Sequence, residues 1–432
     1  MNAFFDDMLS CLETSCFDKK AEDHVPSYLS IQDDSPFMTL AALEDVMDRL
    51  ELDARHRRVL LDARDAILRQ PTIHALIKFL RHVIIGVAHP SHWLVKGAPL
   101  LKQGDVESSA FALMALLALV PASLETHRAK GIDPVHADFN LGHLKGYIKQ
   151  HHDKHGTVGV ENFGWCTYLA SLGLIKLGCL QFMHHVFTDR FRLYRHRQNQ
   201  ALCAIAEAGV TVRTDGQFDG INGVSQPAFT TTLTCDERRC KGHRVNPCGS
   251  IEKETTTLDL KHWQLVIRKD DPVIDFHIPS KSAYGVDDIK QAFNLAKTFF
   301  NTHYPEYDYQ AFWCVSWLYS PQLPWFIRKP TSNILNIARQ GYVLPATPGQ
   351  ESLFTFVFQH ASPDLDKHEP RSSLERDVIA FVKQGGRINA GLYLYGLQDI
   401  DRFGTRPYVT PGDEKAFMKL PHMIKEETTC TS

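Results

Sequence analysis

Apolar residues recur at three and four positions from Thr39 to about Gln150, the spacing of consecutive amphipathic helices. Leu40, Leu43, Val46, Met47 and Leu50 form one stripe. Leu60, Ala63 and Ile67 carry the pattern through LLDARDAILRQ, and Ile73 to Val87 supply another helix ahead of Pro90. ESSAFALMALLALVPASLETHRAKGI reads as a buried helix, interrupted or kinked at Pro121 and finished by Gly131. VHADFNLGHLKGYIKQHHDKHG is its amphipathic successor, and short joins such as AHPSHW and GIDP separate these segments.

After Phe163 the pattern changes. WCTYLASLGLIKLG reads as one more helix, ended by Gly178. CLQFMHHVF, FRLYRHR and VTVRTDGQF then alternate like strands, with β-branched and aromatic content. WQLVIRKDDPVIDFHIP gives two strands around a DDP turn. A helix from Val286 to His303 follows, with Ile289, Phe293, Ala296 and Phe300 on one face. YQAFWCVSWLYS, SLFTFVFQ and RINAGLYLYG supply further strands, with a helix over Ser372 to Lys383. The alternation around Val273 to Ser320 implies a mixed sheet with at least one crossover, so the fold class is α+β. The expected division is an extension over 1–34, a helical domain over 35–160, a sheet domain over 161–398 and a loosely held tail over 399–432.

Composition narrows the classes of function. With 432 residues, 44% hydrophobic and 22% charged, the chain has the profile of a globular protein of two or three domains. A formal net charge of -3 gives no electrostatic reason to expect nucleic acid or an acidic membrane as partner. The N-terminus, MNAFFDDMLSCLETSCFDKK, has early acids and no continuous apolar core, so no secretory signal is read there. The most apolar run, Ala110 to Ala122, falls short of the ~20 residues that span a bilayer. The cytoplasm is the expected location. Ten scattered cysteines are expected to be mostly reduced.

The chemistry is less explicit, since GxSxG, HExxH, P-loop and GxGxxG patterns do not occur. The strand VIDFHIP leads through Ser280-Lys281-Ser282-Ala283-Tyr284-Gly285 into a helix N-terminus, a place where sheet folds commonly hold anionic groups. Asp287 and Asp288 complement the helix dipole there, but would repel a diphosphate unless turned away. A plain strand-to-helix connection is the competing reading. CDERRCKGHRVNPC places Cys235, Cys240, His243 and Cys248 within fourteen residues, enough for a structural zinc, yet without a CxxC knuckle. A loop of reduced cysteines is preferred, and no metal is assigned. In HHDKH, His151 and His155 are four apart and can share a helix face, whereas the adjacent His184 and His185 face opposite sides of a strand. Packed or solvated histidine is the preferred reading of both runs.

Several blocks carry a resemblance. FGWCTYLASLGLIKLGCLQF, DLKHWQLVIRKDDPVIDFHIP, AFWCVSWLYSPQL, TSNILNIARQGYVL and ALVPASLETHRAKGI resemble a bacterial two-domain acyltransferase-like family. Its members join a helical N-terminal domain to a mixed-sheet domain similar to the GNAT superfamily. The resemblance spans roughly residues 35–398. It implies acetyl-CoA or another acyl-CoA as co-substrate and a small-molecule or peptide amine as acceptor. Ser280, Lys281, Ser282, Ala283, Tyr284 and Gly285 then match the loop that holds the CoA diphosphate. His277 and Tyr284 are the candidates for proton transfer, and Ser316 for orienting a water or the departing thiolate. The superfamily's Arg or Gln followed by GxG is not present, Lys281 and Ser282 stand where relatives tend to carry glycines, and Val315 stands where they tend to carry histidine. Those departures give weight to a second expectation, a catalytically inactive protein of the same fold that binds or scaffolds.

Overall fold

The structure, a computed structural model, describes residues 3–31, 35–86, 92–102, 104–223, 225–329 and 331–420. It divides into two compact units, Met1–Lys176 and Leu177–Ser432.

The first unit is built from helices α1 (Ala3–Leu9), α2 (Val25–Leu29), α3 (Leu40–Arg49), α4 (Ala54–Leu68), α5 (Pro71–Ile85), α6 (Ser108–Leu117), α7 (Val120–Ala129), α8 (Pro134–His155) and α9 (Phe163–Ala170). Their starts are written locally. Thr39, Asp53 and Asp133 accept backbone N–H groups of the first turns of α3, α4 and α8. Gly156, left-handed at φ 71°, ends α8. The expected break at Pro121 falls slightly earlier, with Pro121 serving in the first turn of α7. Ser108–Ala129 is long and apolar enough to cross a membrane by length and composition, and 67% of its most apolar window is buried in the structure. Residues 3–29 are no separate extension. Phe5 and Phe17 are buried with ring centroids 5.6 and 5.3 Å from Phe79 of α5.

The second unit carries strands β1 (Ile175–Leu177), β2 (Leu180–Val186), β3 (Phe191–His196), β4 (Leu202–Ala206), β5 (Thr211–Val212), β6 (Phe229–Thr230), β7 (Leu233–Cys235), β8 (Arg239–Asn246), β9 (Ser250–Asp259), β10 (Trp263–Ile267), β11 (Pro272–His277), β12 (Ala311–Ser316), β13 (Tyr342–Pro345) and β14 (Gly391–Gly396). Its helices are α10 (Val286–His303), α11 (Leu323–Phe326), α12 (Asn333–Ala338), α13 (Gln350–Phe358), α14 (Ser373–Lys383) and α15 (Pro411–Phe417). The main sheet runs β1-β2-β11-β12-β14-β13. Its one parallel pair, β11 with β12, is joined by the crossover helix α10, and the neighbouring pairs are antiparallel. Ile289, Ala292, Phe293, Ala296 and Phe300 of α10 are buried against this sheet, and Phe293 stacks on Phe312 at 4.1 Å.

Four expectations need correction. Residues 191–267 add no strands to the main sheet: β10-β3-β4-β8-β7, with β9 on β8, form a second, antiparallel one and β5 pairs with β6 alone, so the DDP turn joins two sheets. Tyr342 of β13 ties them, its hydroxyl donating to the Val245 carbonyl and accepting from the Ala204 amide. SLFTFVFQ is helical: Leu353, Phe354 and Phe358 face inward while Phe356 is 71% exposed, a period of 3.6 hidden in an apolar run interrupted only by Thr355. The unit boundary lies at 176, because α9 packs with the preceding helices and its chain leaves helical geometry at Ser171 rather than at Gly178. Finally, residues 399–420 are fastened down. Asp399 is buried and bidentate with Arg195 at 2.7 and 3.2 Å, Tyr408 donates to it at 2.6 Å, and Asp413 of α15 takes Arg244 at 2.7 Å. Residues 421–432 of the expected tail, 88–91 of the AHPSHW join and Val87 at the end of the expected helix before it lie outside the described residues.

Phe293 touches rings on β2, β11, β12 and β14, so Phe293→Ala is expected to cost about 3–5 kcal/mol in chemical denaturation, with the midpoint falling and the slope unchanged.

Candidate active site

The parallel strands β11 and β12 share only two register pairs, Ile274 with Phe312 and Asp275 with Trp313. Beyond them each strand keeps its outer partner alone, β11 through His277 opposite Gln181 and β12 through Ser316 opposite Gly391. The sheet therefore forks at its centre. Side chains alternate along both strands. Ile274, Phe276 and Phe312 face α10, while Asp275, His277 and Trp313 share the other face.

On that other face His277 Nε2 lies 3.2 Å from Asp275 Oδ2. A carboxylate only accepts, so Nε2 carries the proton and Nδ1 the lone pair. Burial disfavours the charged imidazolium, but the charge of Asp275 and its hydrogen bond outweigh this, and the His277 pKa is raised above its ordinary 6.5. Asp275 is buried, and its Oδ1 makes no hydrogen bond. His185 of β2 stands diagonally across from it, since Val273 is its register partner. Burial lowers the His185 pKa, with Asp275 opposing. The His185 ring is 4.5 Å from that of Trp313, whose Nε1 donates to Asp189 at 2.8 Å. Burial pushes Asp189 up to about 6, against the pull of that hydrogen bond. Asp189, Trp313, His185, Asp275 and His277 thus form one polar row across β2, β11 and β12.

The loop from Ser280 to Gly285 follows β11 at the open end of the fork. Lys281 is left-handed at φ 65°, and the Ser282 amide closes a turn on the Pro279 carbonyl at 3.2 Å. Gly285 is the N-cap of α10, with no side chain capping the helix, so the first-turn amides are left for solvent or a ligand. A Cβ at Gly285 would sit 2.8 Å from Asp288 Oδ2, so that carboxylate folds back over the cap. Tyr284 is partly buried, and its hydroxyl donates to Tyr319 at 3.2 Å, tying the loop after β11 to the turn after β12. Burial raises its pKa well above the ordinary value. That turn presses on β14: a Cβ on Gly391 would lie 1.8 Å from the Tyr319 carbonyl oxygen. From Asp287 a groove of about 670 Å³ runs along the outer side of α10 to His303.

The sequence-based candidates therefore separate. His277 sits at the fork beside a buried carboxylate. Tyr284 is engaged by Tyr319. Ser316 accepts the Leu318 amide at 3.2 Å and caps the turn Trp317–Tyr319, which gives its oxygen a structural task. Asp275, Asp189 and Trp313 went unnoticed, and His185 was read as a packed or solvated histidine. An acid alternating with apolar residues in VIDFHIP was the one available signal for Asp275. The zinc set does not assemble. Cys235 and Cys240 are cross-strand neighbours joined as a disulfide, His243 turns Nδ1 to the Glu252 carbonyl at 3.0 Å, and Cys248 is a free cysteine in the β8–β9 turn.

A mixed sheet forked between two parallel strands, with a loop and an uncapped helix at the fork, is the geometry of a GNAT-like fold. Sequence comparison agrees, matching a GNAT-like C-terminal domain over residues 174–393 and an N-acyltransferase N-terminal domain over residues 41–172. The chain belongs to this two-domain N-acyltransferase family. No curated protein matches it. Among solved structures, an acyltransferase in complex with CoA and 10C-teicoplanin is similar at TM-score 0.51 and 20% identity, over 88% of this chain and 96% of that one. An acyltransferase in complex with decanoyl-CoA and teicoplanin is similar at TM-score 0.50 and 20% identity, with the same coverage. At that identity the likeness is one of fold.

His277 gains a partner on folding, so its stabilising contribution is full below the unfolded pKa and fades as pH rises through the higher folded value. NMR titration should place its folded pKa above 6.5, and in Asp275→Asn, where burial alone remains, below it. An unmoved value in the variant would separate the two side chains.

Proposed function

We propose that the chain transfers an acyl group from acyl-CoA to the nitrogen of an amine acceptor. The single observation that carries this reading is the fork between β11 and β12, with His277 and Asp275 on one face and the uncapped start of α10 at its mouth. Acyl-CoA would place its diphosphate against the backbone amides of Ser280 to Gly285 and its thioester between the parted strands. The acceptor nitrogen attacks the thioester carbonyl, and the new C–N bond forms as the C–S bond breaks. His277 Nδ1 takes the proton lost by the nitrogen. Asp275 holds the ring in that tautomer and stabilises the imidazolium, a positioning role. The CoA thiolate leaves and takes a proton from water, and the His277 imidazolium gives its proton back to the hydroxide so formed, which restores the neutral base.

Family membership supports the reaction class. The similar structures, solved with CoA or decanoyl-CoA and with teicoplanin or its 10C form, suggest longer acyl chains and a small-molecule acceptor rather than a peptide. A second reading, a non-catalytic binding or scaffolding protein, draws on the Tyr284–Tyr319 hydrogen bond across the fork and on the carboxylate folded over the α10 cap. On the first reading Tyr284 swings aside when acyl-CoA enters.

Decanoyl-CoA at about 100 times its dissociation constant should add ~2.7 kcal/mol of stability, while no shift with acetyl-, octanoyl- or decanoyl-CoA selects the non-catalytic reading. With turnover in hand, kcat/KM should rise with pH through the His277 pKa, and His277→Gln should lower it by about 10²–10⁴. In Asp275→Asn the inflection should move to lower pH; full activity in His277→Gln would remove the proposed base.

A further inference from the structure

At the C-terminal end of α8, His151 and His155 lie one helical turn apart with ring centroids 4.7 Å apart. Glu161, from the segment joining α8 to α9, brings its Oε1 to 2.7 Å from His155 Nε2 and 3.4 Å from His151 Nδ1. One ligand atom from each of the three lies within 4.8 Å of the others, and no second group of this kind occurs among the described residues. Zinc bonds of about 2.0–2.1 Å in tetrahedral array put neighbouring ligand atoms about 3.4 Å apart, so the set needs only slight opening to admit the ion.

Two features mark this as more than a surface ion pair. The His151 side chain is 12% exposed, and its Nε2 is held by Thr157 Oγ1 at 3.0 Å, leaving Nδ1 buried, aimed at Glu161 and without a hydrogen bond. A side chain fastening the far nitrogen of an imidazole is how metal sites orient their histidines. The chain also closes tightly over this ring: a Cβ on Gly159 would fall 2.5 Å from His151 Nε2. Lys154 takes the other carboxylate oxygen at 3.3 Å and leaves Oε1 to the imidazoles.

We propose that His151, His155 and Glu161 bind a zinc-class divalent cation that fastens the α8–α9 connection to the end of α8. Two imidazoles and one carboxylate suit zinc and its neighbours rather than calcium or magnesium. The cation takes the place now occupied by the His155–Glu161 hydrogen bond. The neutral His155 ring keeps its proton on Nδ1, and water completes the coordination. This site is independent of the proposed acyl transfer.

The full chain, stripped with a chelator and titrated with cobalt(II), should develop the visible absorption of a four- or five-coordinate ion at one equivalent, and zinc should displace it. The exposed His155→Gln and the Glu161→Gln variants, checked for unchanged circular dichroism, should each weaken cobalt binding at least about tenfold. Failure of the wild-type chain to bind either ion overturns the proposal. So does wild-type affinity in both folded variants, since binding would then lie among the other histidines.

Discussion

A parallel strand pair that stops sharing hydrogen bonds after two residues is the constraint on which the second unit turns. Backbone donors and acceptors facing a gap are costly unless something meets them, so such a fork persists only where the surroundings hold it open. Here β2 and β14 clamp the outer edges through antiparallel ladders. Beneath them α10 supplies one continuous aromatic floor, where Phe293 meets Phe182, Phe276, Phe312 and Tyr395. The inward face of the gap therefore remains a place where polar groups can sit half-buried.

What sits there is a line of groups whose charges depend on one another. Asp275 contributes a buried carboxylate with one oxygen on His277 and the other without a hydrogen bond. Burial alone would neutralise both neighbouring histidines, and the carboxylate reverses that for His277 but not for His185. Two imidazoles on one face of one sheet thus shift in opposite directions, and only one of them has a hydrogen bond to the acid. Elsewhere buried charge is handled by closure: Arg195 meets Asp399, which also receives Tyr408, and these contacts bind the C-terminal segment to the second sheet.

Much of the fold was legible, and the exceptions have physical causes. Helices with local caps and clean stripes, such as α3, α4, α8 and α10, declare themselves because every determinant lies within one or two turns. The sheet around β11 and β12 was legible for the same reason. SLFTFVFQ was not, since its three phenylalanines with Leu353 and Val357 satisfy both periods and only Phe356, left outside, tells them apart. The C-terminal segment read as a tail because Arg195 and Arg244, the partners of Asp399 and Asp413, stand 204 and 169 residues earlier in the chain. The cysteine cluster looked like a ligand set in one dimension, whereas hairpin register set Cys235 opposite Cys240 and turned His243 elsewhere.

By itself the order of apolar and polar residues determined a helical half, a mixed-sheet half and a loop leading into α10, because those features arise from short-range periodicity and capping. It also placed His277 at the end of a strand. Only the tertiary structure decided that β10 and β11 belong to different sheets, that the central strands part after Asp275, and that Asp189, His185, Trp313 and Asp275 line up beside His277. Such neighbours come from three separate stretches of chain. Their proximity is set by register and packing, which no local pattern of residues encodes.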